Sequence, residues 1–180
     1  MRIDKSFSEV CEKIYPLVLA KLPDNIKEQL LDPKYWDNPF NACRIYGKNR
    51  RRTKLNRFYP YWDNGVSNYF IHYEWPRYWT VGIHFNPNHR EKCSGHIFGG
   101  DVRRLFESLH RKEDFQFEPH LPHCSGFSLT LTVMGKSAVD DATIRILADK
   151  LSWLIKTTWP KIETIIDSYP VKNSDSCVRE

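Results

Sequence analysis

The sequence predicts an α+β fold: a single domain with an antiparallel sheet of about five or six strands and the N- and C-terminal helices packed on one face. Three stretches carry that expectation. Asn68 to Phe85 is dense in aromatic and β-branched residues with period-two character, is interrupted by Pro76-Arg77, and reads as a hairpin. Phe127 to Val133 alternates Phe127, Leu129, Leu131 and Val133 with Ser128, Thr130 and Thr132, the pattern of a half-buried strand whose hydroxyl side faces solvent or a polar groove. The two ends of the chain repeat apolar residues at helical spacing instead.

A chain of 180 residues can bury roughly 70% of its unfolded surface, so residues 1–168 are expected to form one domain without a staple, followed by a flexible tail over 169–180. Five scattered cysteines without a CxxC pair argue against a disulfide framework and for a reducing, cytoplasmic setting. No segment approaches a membrane span, and the N-terminus, with Asp4, Glu9 and Glu12 in an amphipathic pattern, does not read as a signal peptide. Cys177 sits where a prenylated cysteine would, but Arg179 and Glu180 do not suit that motif.

In chain order, a helix is expected over residues 6 to 22, opened by Ser6 with Glu9 and kinked or ended early by Pro16. Pro23-Asp24 restarts a shorter helix through Leu31. After an irregular stretch rich in Asn, Pro and Trp, Ala42 to Gly47 and Lys54 to Trp62 are candidate strands near an edge of the sheet. In the hairpin, a three-residue loop from Pro76 to Tyr78 pairs Trp75 with Trp79, Tyr73 with Val81 and Ile71 with Ile83. That register leaves one apolar face and one carrying His72, Glu74, Thr80 and His84. Asn86 to Gly100 reads as a long loop, and Asp101 caps a helix to about Lys112 with Val102, Leu105, Phe106 and Leu109 buried. Phe115 and Phe117 suit a short strand, residues 119 to 125 a polar loop. Asp140 or Asp141 starts the last helix, which Pro160 breaks or kinks.

The net charge is +5, and its location is more informative than its size. Lys48, Arg50, Arg51, Arg52, Lys54 and Arg57 form a run without an acid; with these six set aside from the 27 basic residues, 21 remain against 22 acidic ones. The run leads into Phe58, Tyr59, Tyr61 and Trp62, supplying charge for phosphates and rings for bases. The first functional expectation is therefore a non-enzymatic binding protein that engages nucleic acid or a nucleoprotein complex through this segment, with Tyr59 and Tyr61 among the contacts. An acidic protein surface would suit the same cations, as for an inhibitor or interaction module.

Two further groups of residues suggest other chemistry. His89, Cys93 and His96, with His120, His123 and Cys124, hold the nitrogen and sulfur ligands that zinc takes from paired loops, although polar-loop histidines are commonly just solvated. His72, Glu74 and His84 are the minimal set for a metal-dependent hydrolase or nuclease, and a solvated polar face explains them equally well. The glycines at 95, 99 and 100 lack the spacing and lysine of a nucleotide-binding loop, and neither a nucleophile elbow nor a His-Glu-x-x-His helix occurs. No other cofactor is expected.

Overall fold

In the computed structural model, the first helix, α1 (Phe7–Lys21), buries Val10, Ile14 and Val18, one residue per turn, with Cys11 beside them. The structure describes residues 7–28, 30, 34–36, 42–45, 68–74, 78–85, 96–111, 115–119, 127–134 and 139–168. Pro16 does not end α1. It is exposed, and the carbonyl it leaves without a helical donor can be hydrated there. Leu17, next to Val18 on this helix, is 36% exposed. The following helix α2 is only Asp24–Lys27, shorter than the run to Leu31 that the spacing suggests, and an Asp24–Lys27 ion pair of 2.9 Å closes its single turn.

The last helix, α4, runs from Asp141 to Ser168 without interruption. Asp140 caps it, accepting hydrogen bonds from the Thr143 N–H and hydroxyl, both at 2.7 Å. Pro160 is exposed like Pro16, so here too the expected break is absent; burial of Leu147, Leu151, Leu154, Ile155, Trp159 and Ile162 holds both sides of the proline on one core. Between them, α3 (His96–His110) begins five residues before the expected cap at Asp101. Gly99 and Gly100, which suggested a loop, lie inside its first turns, where each glycine costs about 1 kcal/mol. Burial of Val102, Phe106 and Leu109 outweighs that cost, and the Asp101 carboxylate pairs with Arg104 rather than capping.

The body of the sheet is four antiparallel strands: β3 (Asn68–Glu74), β4 (Tyr78–Phe85), β6 (Phe127–Met134) and β5 (Gln116–Pro119), adjacent in that order. Two short segments, β1 (Lys34–Trp36) and β2 (Ala42–Ile45), carry antiparallel pairing on past β3. The expected five or six strands thus overstate the sheet's body, while the mixed antiparallel architecture is as expected. β1 falls in the stretch read as irregular. The proposed strand over Lys54 to Trp62 lies outside the described residues, as does the tail over 169–180.

The hairpin register also differs from expectation. Tyr73 pairs with Trp79, Ile71 with Val81 and Tyr69 with Ile83, so the loop is Trp75 to Arg77 rather than Pro76 to Tyr78. Pro76 therefore sits in the middle of the connection. Each residue's partner moves by two positions, an even slip that preserves the faces. Tyr69, Ile71, Trp79, Val81 and Ile83 are all buried, together with Leu129 and Leu131 of β6, in one cluster with the residues of α1, α3 and α4.

A hydrogen-bonded clasp joins sheet to helix. The Thr158 hydroxyl donates to the Leu154 carbonyl oxygen at 2.7 Å, so its single proton is used and the Tyr69 hydroxyl must donate to Thr158 Oγ1, also at 2.7 Å. Thr158→Val leaves a buried phenol without an acceptor, whereas Tyr69→Phe leaves Thr158 still bonded to Leu154. We expect about 1–3 kcal/mol lost in the first and about 1 kcal/mol in the second, read by urea denaturation; equal losses would mean that the donor direction is wrong. Burial pushes the Tyr69 phenol well above its usual 10.0, and the charge of Glu163 pushes it the same way. The unfolded phenol ionises first, so this residue's share of stability is present below about pH 10 and lost as pH rises above it, and Tyr69→Phe should flatten that alkaline loss.

Candidate nucleic-acid interface

The pairings of the sheet bring the anchors of three connections to one end. Ile45 pairs with Tyr69, Asn68 with His84, Phe85 with Phe127, and Phe127 with Pro119. The connection over 46–67 therefore starts and finishes beside the points where 86–95 leaves β4 and where 120–126 joins β5 to β6. Lys48, Arg50, Arg51, Arg52, Lys54, Arg57, Tyr59 and Tyr61 belong to the first of these connections and lie outside the described residues, as do His89, Cys93, His120, His123 and Cys124 in the other two. His96 is the first residue of α3. Among the described residues, no group of three or more His, Cys, Asp or Glu side chains is placed to hold a metal ion.

His72, Glu74, Thr80 and His84 occupy positions of one parity, opposite to that of the core residues. The register nevertheless spreads the three proposed catalytic positions. His72 pairs with Thr80, Glu74 with Tyr78, and His84 with Asn68. Four residues of β3 therefore separate the His72 row from the His84 row, roughly 13 Å along the strand. In the expected register His84 would have been diagonal to His72, only two residues away.

The hydroxyl side of β6 departs from expectation as well. Ser128 is 3% and Thr130 4% exposed, and of the three hydroxyl residues only Thr132 is open to solvent. Burial on this face therefore decreases from the Phe127 end of the strand towards the Met134 end.

One feature at the centre of this face was missed in the sequence, although a glycine inside a strand is the usual sign of it. Gly82 pairs with Phe70, whose ring lies over it: a β-carbon at Gly82 would stand 2.6 Å from Phe70 Cζ and 2.8 Å from the Leu129 carbonyl oxygen. The ring could turn away, but the Leu129 carbonyl belongs to the sheet backbone. Gly82→Ala should therefore lose about 1–3 kcal/mol in urea denaturation, and Phe70→Ala in the same chain should recover only part of it. Full recovery would show that the carbonyl contact carries no cost.

At the edge of the sheet, α3 is tied to β5. His110 Nδ1 donates to the Phe115 carbonyl oxygen at 2.6 Å, and the Arg103 guanidinium lies 5.6 Å above the Phe117 ring. Phe115 stacks on Trp153 of α4 with ring centroids 5.2 Å apart. These contacts place α3 and α4 on the core face, where Val10, Ile14 and Val18 of α1 join the same cluster.

No protein-family model, curated protein or solved structure matches this chain.

Proposed function

We propose that this protein is a non-enzymatic nucleic-acid-binding protein of the cytoplasm, engaging nucleic acid or a nucleoprotein complex through the basic, aromatic-flanked segment from Lys48 to Tyr61. The observation that carries the reading is where this charge is held. All of the chain's excess positive charge falls in the connection between β2 and β3, adjacent antiparallel strands whose residues Ile45 and Tyr69 are register partners. Cations concentrated on one connection at one end of a sheet present a dense local charge to a phosphate backbone, and each phosphate contact releases counterions on binding. The neighbouring rings of Phe58, Tyr59, Tyr61 and Trp62 add surfaces on which bases can stack.

The test is binding of the purified chain to labelled single-stranded and duplex DNA and RNA across a salt series, with and without magnesium or manganese, followed by a gel for cleavage. The expected result is affinity that falls steeply with salt and no cleavage. Metal-dependent cleavage would move the function to His72, Glu74 and His84 as a hydrolase. Absence of binding at low salt would overturn the nucleic-acid reading and leave an acidic protein surface as the partner of the same cations.

A further inference from the structure

We draw no further inference here: the strongest candidate, the sheet face around Phe70 and Gly82 that lies opposite the core residues, carries nothing, because Gly82, Ser128 and Thr130 are enclosed on it and nothing among the described residues shows what covers them.

Discussion

Trp79→Ala is expected to cost about 3–5 kcal/mol, the range for truncating a fully buried large aromatic residue. Trp79 is among the largest side chains with no exposure, and it lies on β4, which is paired on both sides, with β3 and with β6. Its partners Tyr73 and Val133 are on those two neighbours, so the cavity would open in the middle of the sheet rather than at an edge that could collapse. Against the roughly 5–15 kcal/mol that holds a typical domain folded, such a loss removes a large part of the margin. Urea denaturation should show a lower midpoint with an unchanged slope. A loss below about 1 kcal/mol would mean that the site relaxes around the missing ring and that β4 is not the rigid centre of the fold.

Replacing Arg50, Arg51 and Arg52 together by Ala should lower affinity for single-stranded nucleic acid by about two decades at 0.1 M salt relative to a 1 M reference. Each lost phosphate contact flattens the slope of log affinity against log salt by about 0.7, so three flatten it by about 2. The slope is the more telling quantity, because a general loss of structure would weaken binding without changing the number of counterions released per contact that remains. An unchanged melting temperature is the required control. Unchanged affinity and slope would take this segment out of the interface.

The elements that were legible in the sequence are those whose pattern is set by burial on one side. In the hairpin, Tyr69, Ile71, Trp79, Val81 and Ile83 alternate with polar residues, and that alternation survived a misplaced loop because an even slip keeps every residue on its face. The loop itself was misread because Pro76 was placed at its start rather than its middle. Three other misreadings share a cause: Gly99-Gly100, Pro16 and Pro160 are locally unfavourable in helices, and the core contacts of Phe106, Ile14 and Trp159 outweigh a local preference of a few kcal/mol at most. Ser128 and Thr130 show the converse limit. Alternation separates the two faces of a strand but does not say that the polar face is wet.

The candidate site was less legible than the fold. The proposed binding and ligand residues could be chosen from charge and residue type, but their grouping depends on strand order, which is a long-range property. Nothing in local spacing says that β4 lies beside β6, or that Phe85 and Phe127 are partners. The close approach at Gly82 was within reach, because a glycine in an otherwise bulky strand marks one, but the expected register sets His72 rather than Phe70 opposite it.

The shared anchoring of the three connections has a consequence for how this protein can change. Each of the connections over 46–67 and 120–126 leaves and re-enters the sheet at neighbouring strands, so residues can be added to or removed from either without altering strand order or the packing of Tyr69 on Thr158. Selection can therefore remodel one pole of the molecule while the opposite face of the sheet stays under the constraint of its core, and specificity and foldability become separately adjustable traits of one chain.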